Sequence, residues 1–522
     1  MPHPTLPRPL TPTTSTRNPA MPNGSPITVT RKPEKFSSDD KRVIARFFQV
    51  GGEPRIHNIL RRVAGLSDPA VQALLDQVLA DFAPRHRRIE DVFARHFGYI
   101  QHHVAEPEAL SSARKLLLGS YFTMEYSIES AALFNPSIVP HPDQSNLEPG
   151  QLRFIMSLRA TGEGHVSSIV FRTGVVSRDG EIGFAPLSKF AAKMRVNQDR
   201  RYEKKLFFLK LIEMAAYTSA ARSVLDELPD WFTYHELDHK IAEVKHRPDH
   251  PTPFNETAEN MLWLARSNYR LTVPSDADPS EIVIFPTSEN ESRGIEDVRL
   301  THFTDDDGKV TYFGTYTAYN GYRILPQLFE TPDFSNIEIH TLNGKYVQNK
   351  GMALFPRKID GFYHMISRLD GENMFIMKSD NVHFWNDCQK LAAPLYPWEF
   401  VQIGNCGPPI ETPQGWLLLT HGVGPVRQYC IGACLLDLDD PSKVIGHLDQ
   451  PLIIPSETER DGYVPNVVYT CGALAHAGHL VIPYAMSDSA TSFATVSMDE
   501  LLQELTQNSK SCPVPDRRVT SR

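Results

Sequence analysis

The spacing of apolar residues divides the chain into helical and β territories. From Asp39 to about Ala132, apolar positions recur every three or four residues through "DKRVIARFF", "IHNILRRVAGL", "PAVQALLDQVLADFA", "RIEDVFARHFGYIQHHV" and "SSARKLLLGSYFTMEYSIESAALF". Asp or Ser precedes several of these starts, as amphipathic, capped helices require. The pattern then turns to alternation in "LRFIMSLRATGEGHVSSIVFRTGVVSRDGEIGF", which predicts strands and a hairpin. A second helical block runs from Leu187 to about Ser267, clearest in "EKKLFFLKLIEMAAYTSAARSVLDEL". Beyond Ser275 the chain is β-rich until a short closing helix, "SMDELLQEL".

The last β region has a rhythm. Gly308, Gly361, Gly415 and Gly478 each precede an alternating strand, at separations of 53, 54 and 63 residues. A second series places Asp333, Asp380 and Asp439 at turns 47 and 59 residues apart. Repeats near 50 residues with several strands each point to a β-propeller, with an irregular β-sandwich as the other arrangement. Three to four units after Ser275 and one before the second helical block predict five blades. The fold class expected is therefore mainly β: a five-bladed β-propeller with a helical N-terminal segment and a helical insertion. Its bounds are a Pro-rich disordered tail over 1–35, helices over 36–132, the propeller over 133–505 with its insertion at about 187–267, and a tail over 506–522. Tyr316, Arg368 and His421 end equivalent strands, 52 and 53 residues apart, and are expected to face a common cavity.

Composition narrows the partners. A net charge of −9 without a long basic stripe argues against a general nucleic-acid binder. Six cysteines lacking CxxC pairs suit a reducing compartment and offer no zinc framework. No apolar run approaches the ~20 residues of a membrane span, and the first 35 residues lack an apolar signal core. A cytoplasmic protein is expected. The stretch "SENESRGIEDVRLTHF" crowds Glu289, Glu291, Glu296 and Asp297 around Arg293 and Arg299. It reads either as a solvated charge cluster or as a carboxyl group held by arginines at the mouth of a site.

Five ordered motifs, "SRGIEDVRL", "NKGMALFPRKIDGFYHMISR", "IGNCGPPIETPQGWLLLTHGV", "YCIGACLLDLDDPSKVIGH" and "GYVPNVVYTCG", together resemble glycoside hydrolase family 130. The resemblance covers roughly Asn135 to Leu505, outside the second helical block, and the helical additions look like the long form, closest to β-1,2-mannobiose phosphorylases. It implies an inverting phosphorylase acting on a β-mannoside with inorganic phosphate as co-substrate, releasing α-mannose 1-phosphate. It implies no metal or organic cofactor. Asp297 matches the general acid, which in the family is thought to protonate the glycosidic oxygen through the 3-hydroxyl of the bound mannose. Glu296 beside it would raise its pKa as a like charge, whereas Arg293 and Arg299 would lower it if close. Asn135, Arg159, Tyr316 and Asp488 match residues that hold the mannose. Lys350, Arg368, Gln402 and His421 match the phosphate positions; Gln402 stands where several relatives carry Lys. An inverting hydrolase needs a second carboxylate about 6.5–9.5 Å from the acid, and none of these four positions is Asp or Glu. Hydrolysis by the same fold is the alternative. Arg427 and Tyr429, just past the His421 strand, are candidates for the acceptor subsite. Glu289 and Glu291 read as rim charges, and the added helices as a homo-oligomer interface or a cap over the acceptor.

Two further patterns compete. "YHELDHK" holds His235-Glu236-x-x-His239, the helix-borne zinc-peptidase spacing, with Glu256 or Glu259 as third ligands. The prolines of "KHRPDHPTPF" break the path back to such a ligand. A catalytically silent sugar-binding propeller is the remaining reading. Of the aromatic residues, Trp385 and Trp416 are expected in the core.

Overall fold

The computed structural model describes residues 27–197, 200–248, 254–274, 277–322 and 324–507. The β-rich part is built of five antiparallel meanders. The first comprises Ala132–Pro140, Leu152–Thr161, Ser167–Val176 and Ile182–Phe184; the second Gly294–Thr304, Val310–Tyr319, Ile324–Thr331 and Asn336–Thr341. A parallel contact between Gly294 and Ser167 links these two. The third runs Ala353–Leu354, Tyr363–Ser367, Met374–Ser379, Asp387–Ala392, and the fourth Gln402–Asn405, Gly415–Val423, Tyr429–Leu436, Val444–His447. The fifth has Val468–Tyr469, His479–Met486 and Ala490–Ser497, completed by Val29–Phe36 from the other end of the chain. Each meander packs against the next through its early strands, and His479–Met486 packs against Ala132–Pro140.

The repeat read from the sequence falls where the turns are. Gly308, Gly361, Gly415 and Gly478 all adopt positive φ at the head of a strand, a conformation that costs L-residues a Cβ clash. At Gly415 a Cβ would lie 2.4 Å from the Leu436 carbonyl oxygen, so no side chain fits. Trp385 and Trp416 are fully buried, as expected. Trp398 fills a gap in the fourth meander, where Cβ atoms on Gly422 or Gly432 would strike its ring at 2.3 and 2.4 Å.

Helices occupy the two expected regions. Glu53–Ala64, Asp68–Phe82, Ile89–Ile100 and Ser112–Tyr121 enclose a separate core around Val63, Val71, Phe97, Leu117 and Phe122. Lys204–Glu213, Ser219–Leu225, Tyr234–Lys245 and Phe254–Arg266 form another around Leu211, Phe232, Leu237 and Met261. No helix among the described residues is long and apolar enough to cross a membrane.

Two expectations are corrected. "DKRVIARFF", expected as helix, forms the strand Asp39–Phe47, paired with Thr123–Glu129. Its short apolar run, Val43 and Ile44, fits either element by periodicity, and pairing with "TMEYSIE", itself expected to continue a helix but a strand here, decides both. Within the supposed tail, Val29–Phe36 is an ordered strand on Ala490–Ser497. It buries alternate residues and absorbs Pro33 at a register shift on the sheet edge, where the missing N–H is tolerated. Residues 1–26 of that tail, and 508–522 of the C-terminal one, lie outside the described residues.

Candidate active site

The site grows from two equivalent irregularities. The first strands of the first two meanders each shift register, between Phe134 and Ser137 and between Glu296 and Arg299. At these bulges Asn135 and Asp297 take positive φ, 49° and 54°. A bulge re-aims side chains that a regular strand would send to opposite faces. Asn135 Nδ2 accordingly donates to Asp297 Oδ1 at 2.7 Å, while neighbouring Glu296 shares a cation with Asp297. That cation is Arg159, which donates to Glu296 at 3.0 Å and to Asp297 Oδ1 at 3.4 Å. Lys350 Nζ takes the other Glu296 oxygen at 2.5 Å. Asp297 Oδ2 has no hydrogen-bond partner among the described residues and is the oxygen free to meet a ligand.

Arg299, fully buried, ties the site to the fourth and fifth meanders. It donates to the Asp297 carbonyl at 2.9 Å, to the Cys406 carbonyl at 2.9 Å and to Tyr469 Oη at 2.6 Å. Burial acts to raise the Asp297 pKa, but Arg159, Arg299, the Asn135 hydrogen bond and Lys350 together outweigh it and hold the carboxyl below its usual range. The Arg293 backbone N–H bonds the Tyr319 carbonyl. Glu296 is itself paired with two cations, Arg159 and Lys350.

Asp488 titrates in the opposite direction. It sits beside Ser487 in the turn joining His479–Met486 to Ala490–Ser497, both at positive φ, with the Ser489 N–H bonded to the Met486 carbonyl. Burial and the negative charge of Asp297 push its pKa up to about 6, against the pull of Arg159 and Arg427. Arg427 lies in a similar turn, and its guanidinium sits 5.6 Å over the Tyr429 ring, which stacks 5.9 Å from His421.

The phosphate candidates form a second knot. Arg368 donates to His421 Nε2 at 3.1 Å, and Gln402 Nε2 lies 3.4 Å from the same atom. His421 Nδ1 faces the Asn405 carbonyl at 3.2 Å, so the ring donates there and accepts from Arg368. Burial, Arg368 and Arg299 lower its pKa well below the ordinary value, making it a neutral anchor for Arg368. Room for these groups comes from glycines: a Cβ on Gly351 would lie 2.3 Å from Arg368 Nε, and one on Gly404 would lie 2.4 Å from the His421 ring. Asn135 Oδ1, Arg368 Nε and Asn405 Oδ1 are all buried without a partner. Unmet buried polar atoms on residues of both knots mark places where a ligand completes the hydrogen bonding.

The structure thus brings Asn135, Arg159 and Lys350 onto the Glu296–Asp297 pair, and Arg368 and Gln402 onto His421. Tyr316 is not among them. Its ring is buried and its hydroxyl donates to Glu291 at 3.0 Å, alongside Tyr269 at 2.9 Å. Glu291, expected at the rim, is fully buried and also accepts from the N–H groups of Thr287 and Ser288. The strand register that aligned Tyr316 with Arg368 and His421 does not fix which way a side chain turns. Asn405 and Tyr469 were missed; an Asn at the end of the fourth meander's first strand was the signal for Asn405, and none pointed to Tyr469. The zinc-peptidase pattern dissolves: His235 and His239 are exposed, and Glu236 closes a capping box, accepting from the Thr233 N–H at 2.7 Å.

Residues 275–507 match the model of glycoside hydrolase family 130, described as beta-1,4-mannooligosaccharide phosphorylase. Over 262 residues the chain is 30% identical to the beta-1,2-mannobiose phosphorylase of Listeria innocua, covering 49% of this chain and 71% of that one. Over 223 residues it is 33% identical to the 1,2-beta-oligomannan phosphorylase of Thermoanaerobacter sp., covering 41% and 72%. The class so defined is that of the glycoside phosphorylases. Within it, the chain belongs to glycoside hydrolase family 130. A solved structure of the Listeria innocua enzyme with beta-1,2-mannobiose aligns over 73% of this chain and 93% of that one, at 19% identity and a TM-score of 0.42.

Proposed function

We propose that the chain is a cytoplasmic five-bladed β-propeller enzyme that cleaves β-1,2-mannobiose, or a short β-1,2-mannooligosaccharide, with inorganic phosphate to give α-mannose 1-phosphate. The observation that carries this reading is one carboxyl group with an open oxygen, Asp297, beside a knot of cations and N–H donors on Lys350, Arg368 and Gln402. Phosphate is near −2 at neutral pH and needs cations, not a general base. Its oxygen attacks C1 of the mannose from the face opposite the leaving sugar. The C1–O bond breaks, and the Asp297 proton passes to the leaving oxygen through the mannose 3-hydroxyl. Asn135, Arg159 and Asp488 hold that mannose, and Arg427 and Tyr429 face the acceptor sugar.

The cations that hold Asp297 ionised in the free protein would oppose its role as an acid. Phosphate answers this: two negative charges drawn onto Lys350 and Arg368 offset the cationic field and favour protonation of Asp297. A hydrolytic β-mannosidase is the second reading, and Gln402 is the observation in its favour, since it brings no charge to the phosphate positions.

The test incubates the purified chain with β-1,2-mannobiose, with and without phosphate, and assays mannose 1-phosphate against free mannose. Phosphate-dependent mannose 1-phosphate is expected. Free mannose at equal rates without phosphate overturns phosphorolysis in favour of hydrolysis.

A further inference from the structure

Between the second and third meanders and the helical insertion lies a small cavity of about 50 Å³, with Arg200, Lys210, His340, Asn343 and His383 among its lining residues. It is remote in sequence and contact from Asp297, and the proposed reaction uses none of its residues. His340 and His383 stack with ring centroids 4.3 Å apart. His340 Nε2 lies 2.9 Å from one Glu330 oxygen, and His383 Nε2 lies 3.8 Å from the other. One ligand atom from each of the three falls within 4.8 Å of the others, the one such trio among the described residues.

Two buried atoms here have no partner. His383 Nε2 makes no hydrogen bond, and neither does Asn343 Oδ1, on a residue only 5% exposed. The Asn343 amide nitrogen is already spent on the Thr341 and His383 carbonyls, so its oxygen cannot be exchanged for a donor by turning the amide. Leaving two such acceptors dry is costly. The space excludes phosphate or a sugar, yet holds a single ion with one or two waters, each needing about 10–15 Å³.

We propose that Glu330, His340 and His383 bind one divalent transition-metal ion, with Asn343 Oδ1 or water completing the shell. Two imidazoles and one carboxylate are a donor set that suits zinc. The site staples the strands Ile324–Thr331 and Asn336–Thr341 to the loop ahead of Asp387–Ala392, under the helical insertion. Arg200 competes with the ion. It donates to His340 Nδ1 at 2.5 Å, which leaves the ring proton on Nε2, facing Glu330. Coordination through Nε2 moves that proton to Nδ1 and turns Arg200 away, towards Glu338, whose carboxylate is 3.9 Å from its Nε.

The opposed effects of two substitutions give the test. The full chain is stripped with EDTA, dialysed, and titrated with zinc against a chromophoric chelator, with bound metal counted by mass spectrometry. One equivalent is expected for the wild type. His383→Ala should weaken binding at least tenfold, whereas Arg200→Gln should tighten it several-fold. The double variant His102→Ala/His103→Ala, at a surface histidine pair, should bind as the wild type does. Circular dichroism and a thermal melt confirm that each variant folds. No zinc on the folded wild type, or equal binding by wild type and folded His383→Ala, overturns the proposal; so does Arg200→Gln weakening the affinity.

Discussion

At the residue scale, the site works by setting neighbouring charges against one another. Asp297 Oδ1 is tied down by Asn135 and Arg159, and Oδ2 is left open. Asp297→Asn keeps the shape and loses the proton. It is expected to cut turnover by roughly 10²–10⁴-fold, the range for a general acid, in a variant whose circular dichroism matches the wild type; phosphate-dependent release of mannose 1-phosphate measures it. Gln402 donates without charge beside His421. Gln402→Lys should lower the KM for phosphate several-fold, on the order of 1 kcal/mol for a charge-assisted bond, with little change in the KM for the mannoside. Much of this was legible in "GIEDVR", where the acid, its twin carboxylate and Arg299 follow one another. The paired use of Glu296 by Arg159 and Lys350 was not, because those partners lie more than 50 residues away in the chain on either side. Nor was the fate of Tyr316, whose direction depends on a buried acid, Glu291, that looked like a surface charge.

At the scale of elements, a hairpin turn positions Arg427, the residue proposed to face the acceptor sugar. Val426 and Arg427 both sit at positive φ, 58° and 55°. The turn bonds the Gln428 N–H to the Pro425 carbonyl and presents Arg427 to Tyr429. A β-branched residue in this region is strained by about 1–2 kcal/mol, and Val426 is 88% exposed, so no packing compensates. Val426→Gly should raise stability by about 1 kcal/mol in a denaturant titration, the relief exceeding the added chain entropy. Lost activity in that stable variant would place the strain in the service of Arg427. The hairpin glycines made these elements readable in the sequence, since each marks a turn by its own chemistry. Short segments were less so: Asp39–Phe47 and Val29–Phe36 became strands through partners far along the chain.

At the scale of the whole molecule, the two site aspartates impose opposite pH dependences. Asp488 has its folded pKa raised to about 6 from an ordinary carboxylate value. Between these values the folded state keeps a proton that the unfolded chain has released, so stability falls as pH rises through that window. Above it the penalty is complete, at most ~3 kcal/mol for two units. Asp297 is depressed instead, and its contribution is lost as pH falls below the usual carboxylate range. Asp488→Asn should therefore melt with the wild type near pH 4 and above it near pH 7.5. A higher melting temperature of equal size at both would show that the gain is not linked to proton release.

The fifth sheet carries a consequence for how the chain is made. Its outer strand, Val29–Phe36, pairs with Ala490–Ser497, and Arg31 reaches Glu459 at 2.9 Å. Synthesis delivers the first of these partners long before the second. The early strand must wait, unpaired and edge-exposed, until Ala490–Ser497 has left the exit tunnel. Its three basic residues, Arg31, Lys32 and Lys35, and its single proline, Pro33, are the features that keep such a waiting edge from recruiting the wrong strand.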